Sequence, residues 1–192
     1  SPTVENYSYR AYDAQVLGSN CATAIATWVN VAPVAEDVTA SGNEATSIPV
    51  TANASDEGGN PLTYQWYSDG DCNNEISGET DNTYNTPSQN EPNVIIYSYK
   101  AYDPELTASN CATATVTWLN VAPTVGVAND GPKNENTAII YTASPSDPGG
   151  STFTYQWYTD SGCTSSIGGA TSQTRSETLT EPGTRSRYVI VK

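Results

Sequence analysis

The chain has 192 residues and carries 21 acidic side chains against 7 basic ones, a formal net charge of −14. So few Lys and Arg argue against nucleic acid as a partner, because phosphate neutralisation needs them. The absence of His removes the usual neutral-pH base and the commonest transition-metal ligand. No run of about 18 apolar residues occurs, so no segment reads as a membrane span.

Taken in chain order, the sequence opens at Ser1-Pro2 without a Met or a signal peptide and reaches an apparent strand at Tyr7–Asp13 (YSYRAYD). A second strand follows Asn20 in NCATAIATWVNVAP, up to Pro33. Alternating stretches bounded by Gly, Pro, Asn or Asp then predict strand A at Val34–Thr39, B at Thr46–Ala52, C at Leu62–Tyr67 and E at Thr83–Thr86. Strand F is predicted at Val94–Asp103 and G at Cys111–Val121. No segment holds a helical apolar stripe, so the fold class is all-β. The chain closes on Val189-Ile190-Val191-Lys192, which reads as mid-strand and predicts a window on a longer chain.

A repeat organises these elements. YSYRAYD at Tyr7 returns as YSYKAYD at Tyr97, an offset of 90. NCATAIATWVNVAP at Asn20 returns as NCATATVTWLNVAP at Asn110, with 11 of 14 positions identical and the same offset. TYQWY at Thr63 returns at Thr154, an offset of 91, and Asp56-Glu57-Gly58-Gly59 becomes Asp147-Pro148-Gly149-Gly150. A period near 90 suits a β-sandwich domain of about 100 residues rather than a solenoid unit of about 20–50. Residues 1–32 are then the last strands (F and G) of one repeat. Residues 33–122 are a complete repeat, and 123–192 run from strand A to the start of F in a third. The junctions Asn30-Val31-Ala32-Pro33 and Asn120-Val121-Ala122-Pro123 contain Pro and no Gly/Ser linker, which predicts domains stacked as a semi-rigid rod.

The strand-C TYQWY, the ISG-T…TYNTP segment after it, the strand-F YSYKAYD and the closing NCATATVTWLNVAP together resemble immunoglobulin-like repeats. The nearest kinds are the polycystic-kidney-disease-type and cadherin-like modules of bacterial or archaeal extracellular surface proteins and fibres. The resemblance covers the whole chain and implies tandem β-sandwiches on a cell surface or in a fibre. It also implies that Trp66 and Trp157 are core residues, since this fold buries a Trp on strand C. Tyr97 and Tyr99 are expected in an inward row, with Ser98 and Lys100 outward. Trp28 and Trp118, late in strand G, are candidates for packing against the following domain.

Two cysteines occur per period: Cys21 and Cys111 open strand G, and Cys72 and Cys163 follow strand C. That usage in a His-free, acidic, repeat-built chain predicts an oxidising, extracellular compartment. Pairing Cys72 with Cys111 is the simple option. Sandwich topology places the end of strand C at the pole where G ends, about 30 Å from the start of G, against the ~4.4–6.8 Å Cα separation a disulfide tolerates. A staple between successive domains is therefore the favoured expectation, and the pairing inside one repeat requires a different strand order.

Asp56, Glu57 and Asn60, with Glu36, Asp37 and Asp103, form an acidic set that resembles the calcium-binding turns of cadherin-like repeats. Asp13, Asp130 and Asp147 do not reproduce the full set, which favours solvated turns. No other cofactor is called for. Two sequons, Asn6-Tyr7-Ser8 and Asn53-Ala54-Ser55, are candidate N-glycosylation sites, and the many Thr and Ser would suit O-linked sugars. No nucleophile elbow, metal-ligand spacing or phosphate loop occurs, so no enzyme is expected. The expected function is that of a structural segment of an extracellular fibre or stalk. Its partners would be neighbouring repeats of the same chain or identical subunits in a filament. The alternatives are a ligand- or glycan-binding adhesin region and a donor-strand pilus subunit.

Overall fold

A computed structural model describes residues 3–192, which form fifteen strands and, among the described residues, no helix. The strands are β1 (Thr3–Tyr9), β2 (Ala22–Trp28), β3 (Val34–Glu36), β4 (Val38–Asn43), β5 (Pro49–Thr51), β6 (Asn53–Ser55), β7 (Thr63–Tyr67) and β8 (Thr83–Asn85). They continue with β9 (Asn93–Tyr102), β10 (Ala112–Leu119), β11 (Thr124–Asn129), β12 (Ala138–Ser146), β13 (Tyr155–Tyr158), β14 (Thr174–Thr178) and β15 (Tyr188–Val191). The protein is thus all-β, with several sheets in an arrangement consistent with a β-sandwich. Thr, Tyr, Ala and Val are the commonest strand residues, and all but Ala have branched or aromatic side chains that suit a pleated, half-buried surface.

Two compact bodies are distinguished. The first comprises residues up to Ala40, Pro49–Asn85 and Ile95–Val116; the second comprises Ser41–Ile48, Thr86–Val94 and Thr117–Lys192. In the first, β1 and β2 form an antiparallel hairpin with Tyr7 opposite Ala24 and Tyr9 opposite Ala22. Every residue of β1 is exposed, and Tyr7, Tyr9, Ile25 and Trp28 are each more than half exposed.

Strands β3 to β10 make the middle repeat. A four-stranded sheet runs β4-β10-β9-β7, and short pairs β3-β6 and β5-β8 complete the set. The predicted strand A is split, with β3 paired to β6 and β4 placed beside β10, and it extends to Asn43. The predicted strand B shortens to β5, and β6 follows beyond its expected end. Trp66 is fully buried, with ring centroids 5.0 Å from Tyr99 and 5.6 Å from Tyr84, and Tyr84 lies 5.3 Å from Tyr97. The core is therefore aromatic, built from Trp and Tyr in a chain with one Phe.

Strand F does not alternate as expected. Ser98 is as buried as Tyr97 and Tyr99, because the loop after β7 lies across the outer face of β9. The Ser98 hydroxyl donates to the Asp69 carbonyl at 2.6 Å and accepts from the Cys72 amide at 3.1 Å.

That loop overturns the expected inter-domain staple. Cys72 and Cys111 are disulfide-bonded, with a Cα separation of 6.0 Å. Strand β7 is only five residues long and ends at Tyr67, opposite Ser98 in the middle of β9 rather than at a pole. The chain then turns back, with Ser68 N–H donating to the Asn74 carbonyl and Ile76 N–H to that of Trp66. Cys72 is thereby set over mid-β9. The hairpin shows where the other cysteine belongs: Tyr9 opposes Ala22, so the residue before Ala22 falls on the outer face. Cys111, at the same place in the repeat, crosses β9 to meet Cys72.

In the second body, β11-β12-β14 form one sheet and β13-β15 another. Tyr141, Ala143, Trp157, Val189 and Val191 make its core, with Val125, Ile139, Phe153, Tyr155, Ile167 and Ala170 packed around them. Among the described residues no helix is long and apolar enough to cross a membrane.

Candidate functional site

The residues that could carry a mechanical role gather at the two Asn-Val-Ala-Pro segments, each held by side chains. At the first, the Asn30 side-chain amide donates to Asp103 Oδ2 at 2.6 Å and to Thr107 Oγ1 at 2.9 Å. Asp103 opens the turn between β9 and β10, where its Oδ1 accepts the Thr107 amide at 2.7 Å. The same turn in the hairpin begins at Asp13, whose Oδ1 accepts the amides of Gln15 and Leu17. Asp13 is exposed, whereas Asp103 is 1% exposed. The hydrogen bond from Asn30 and the turn amides outweigh desolvation and hold the Asp103 carboxyl below the ordinary carboxylate range. Pro33 is buried beyond the clasp, and Ala35 then exchanges two hydrogen bonds with the Asn110 side chain.

The second segment is held by Glu44, in the turn after β4. Its N–H donates to the Leu119 carbonyl at 2.9 Å, and its Oε1 accepts the Val121 amide at 2.7 Å. Glu44 is 1% exposed, and its Oε2 has no hydrogen-bond partner. Gly149, in the turn after β12, packs against it. A Cβ there would overlap the Asn90 carbonyl oxygen and stand 2.7 Å from Glu44 Oε2. Trp118, a candidate for packing on the following domain, is buried, with its indole N–H donating to the Thr46 carbonyl in the turn after β4 at 2.9 Å. Trp28 remains exposed.

The acidic set is not drawn together. Glu36 accepts from the Asn53 side chain at 2.6 Å, Asp37 from the Thr113 amide at 2.7 Å, and Asp56 from the Gly58 amide at 2.5 Å. Each carboxylate serves a local turn or strand end, and among the described residues no three His, Cys, Asp or Glu side chains are grouped to hold a metal ion. Asp56-Glu57-Gly58-Gly59 and Asp147-Pro148-Gly149-Gly150 form matching turns, with Gly59 at φ 68° and Gly150 at φ 75°. Gly suits that left-handed conformation because it has no Cβ. Both sequon residues, Asn6 and Asn53, are exposed. Of the four cysteines, Cys72 and Cys111 are paired, while Cys21 is free and exposed and Cys163 is free and half-buried.

The second body holds a cavity of about 260 Å³ lined by Lys133, Asn134, Tyr141, Glu177, Pro182 and Arg185 among others. On it, Glu177 bonds both Arg185, at 3.1 Å, and Arg187. Burial pushes the Glu177 carboxyl up, but Arg187, with Arg175 and Arg185, outweighs this and holds it below its ordinary value.

Sequence reasoning missed Asn30, Glu44, Asp69, Ser98 and Asp103 as linked positions. Asn30 carried a signal, since it recurs as Asn120. Ser98 also recurs, as Ser8, but nothing in an alternating strand distinguishes a serine under a loop from a solvated one. Compared with known proteins, the chain matches no protein-family model and no curated protein.

Proposed function

We propose that the chain is a structural segment of an extracellular fibre or cell-surface stalk built from tandem immunoglobulin-like repeats. Its function is to supply length, stiffness and surface display, with neighbouring repeats or identical subunits as partners and no catalytic role. The observation that carries this reading is the treatment of the two Asn-Val-Ala-Pro segments. A flexible linker would leave these residues without partners in the fold; here Asn30, though exposed, is tied to Asp103 and Thr107, and Val121 to Glu44. Such ties restrict the backbone of both segments, as a stiff stalk requires. The Cys72–Cys111 disulfide is compatible with an oxidising, extracellular setting. Exposed Asn6 and Asn53, and the Thr- and Ser-rich surface, leave covalent glycans as a further feature of the proposal.

Electron microscopy of the native material tests this reading. A continuous filament with an axial repeat of one domain length is expected, and discrete monomers overturn it. The cavity beside Glu177 and Arg185 favours a second reading, a glycan- or protein-binding adhesin region. Saturable binding of a sugar that Arg185→Ala abolishes would support that alternative.

A further inference from the structure

We propose that the β1–β2 hairpin of one copy completes the 124–192 body of another, closed by a Cys21–Cys163 disulfide. This deepens the fibre reading and rests on it, by naming the partner as a second copy of this chain and giving the docking surface.

The argument begins from what the middle repeat buries. There Tyr97, Tyr99, Ala112, Ala114, Val116 and Trp118 are all at most 5% exposed. Their counterparts in the hairpin include Tyr7, Tyr9 and Trp28, which share one face with Ala22, Ala24 and Ala26 and are 54%, 64% and 54% exposed. An apolar face of that kind, open to water, marks an interaction surface.

The 124–192 body has the reciprocal opening. Strand β15 pairs with β13 as β9 pairs with β7: Trp157 opposes Val189 as Trp66 opposes Tyr99. In the middle repeat β9 has β10 on its other side, in the order β4-β10-β9-β7; among the described residues β15 pairs with β13 alone. The first strand shows the same difference. In the middle repeat β3 pairs with β6 over three residues and the chain then moves to β4, beside β10. In the 124–192 body β11 stays paired with β12 over six residues. Among the described residues no strand is hydrogen-bonded to the outer edge of β15, although β11 lies close to it. Laying β2 against β15 gives the order β1-β2-β15-β13, with β1 standing where β4 stands in the middle repeat. This also resolves the duplication of strand F, since β15 keeps that role and β1 takes another.

Charge supports a second copy as the occupant. Residues 1–122 carry fifteen acidic and two basic side chains, whereas 123–192 carry six acidic and five basic. The hairpin itself carries only Glu5, Asp13 and Arg10, so the near-balanced last body is the surface that least repels it and the acidic residues 33–122 behind it.

The docking brings Cys21 and Cys163 to the places of Cys111 and Cys72. Their two thiols lose two protons and two electrons to an external disulfide such as oxidised glutathione, which leaves as two thiols while the Cys21–Cys163 S–S bond forms.

The test uses the 192-residue chain with oxidised glutathione. C21S and C163S variants, each unlinked alone, should give one disulfide-linked heterodimer when mixed. The unmodified chain should give a ladder in which peptide mapping finds Cys21–Cys163. Persistent monomers, or Cys21–Cys21 and Cys163–Cys163 links instead, overturn the proposal. Trp28→Glu should abolish linking while leaving the melting of the middle repeat unchanged, because Trp28 is exposed in the single chain; linking that survives this change also overturns it. Native filaments without Cys21–Cys163 bonds would sink this inference alone. Linked chains from a source that makes no filaments would sink the fibre reading alone.

Discussion

Trp66 and Trp157 occupy the same place in two copies of one motif, and their nearest bonds are identical. Each indole N–H donates to the carbonyl fifteen residues on, Asp81 at 2.8 Å and Ser172 at 2.9 Å. Gln65 and Gln156, one position earlier, each bond the carbonyl eleven residues on, Ile76 and Ile167. What differs is everything contributed from a distance. Around Trp66 stand Tyr84 and Tyr99; the matching positions near Trp157 hold Arg175 and Val189, and the aromatic partner becomes Tyr141 on β12, 6.2 Å away. Cys72 is bonded and Cys163 is free. Strand C and the loop after it therefore form a self-sufficient local unit, which holds its shape without a disulfide. Closure of the sandwich is a separate, long-range matter.

The sharpest way to break this comparison is to remove the disulfide. Its sequence separation of 39 corresponds to about 4 kcal/mol in the chain-entropy account, within a typical 2–4 kcal/mol. Cys72→Ser should therefore lower the unfolding free energy of the middle repeat by that amount, and its denaturant midpoint with it. Cys163→Ser should leave its own body within about 0.5 kcal/mol, because a free half-buried thiol closes no loop. The measurement is denaturant unfolding followed by Trp fluorescence, with Trp66→Phe and Trp157→Phe backgrounds to separate the two signals. Equal shifts for both serine variants would mean that the loop after strand C needs its staple after all.

How much of this was legible in the sequence follows the same division between local and distant. The all-β class, the strand positions and the repeat were readable because alternation and turn residues are local signals, and TYQWY marks its strand wherever it occurs. The pairing of Cys72 with Cys111 was not, because it depends on β7 stopping opposite Ser98, midway along β9. Strand length sets that crossing, and no single residue announces it. The bond of Trp118 was hidden for a related reason: its partner is the Thr46 carbonyl, 72 residues away in sequence. The Asn30 clasp was half visible, since the repeated Asn marked the junction but the Asp103 it meets reads as an ordinary turn residue.

A smaller effect separates Gly58 from Gly149, which take matching places in two matching turns. Each N–H donates to its own Asp, at 2.5 Å in the first and 2.7 Å in the second. A Cβ on Gly58 would meet the ends of the Asn60 and Asp56 side chains at 3.1 Å, both able to move. On Gly149 it would strike the Asn90 backbone and the buried Glu44 carboxylate. Gly149→Ala should thus cost roughly 1–3 kcal/mol, the usual range for overpacking, and Gly58→Ala well under 1 kcal/mol. Thermal melts of the two variants check this, and a larger loss for Gly58→Ala would reverse the assignment of Gly149 as the packed member of the pair.

The smallest expected difference lies in acid. Asp69 and Asp160 each cap the loop after strand C. Asp69 accepts the amides of Asp71, Asn73 and Asn74, and Asp160 those of Thr164 and Ser165. These donors favour the ionised carboxylate, so both are held below their ordinary value, Asp160 at about 2, chiefly through the Ser165 amide. A carboxyl depressed in the folded state contributes stability that is complete above the unfolded pKa, near 4, and fades as pH falls toward the folded value. For Asp160 that window runs from about pH 4 down to about pH 2. Asp160→Asn should flatten the acid limb of the second body's stability in that window and leave the profile above pH 5 parallel to the parent. Because both carboxylates are solvent-facing, the effect should shrink in 0.5 M salt wherever it is coulombic, and persist wherever the amide hydrogen bonds carry it. A salt-insensitive acid limb that Asp160→Asn removes would show that the loop is held by its capping bonds. That is the behaviour required of a unit that keeps its shape in both bodies, stapled or not.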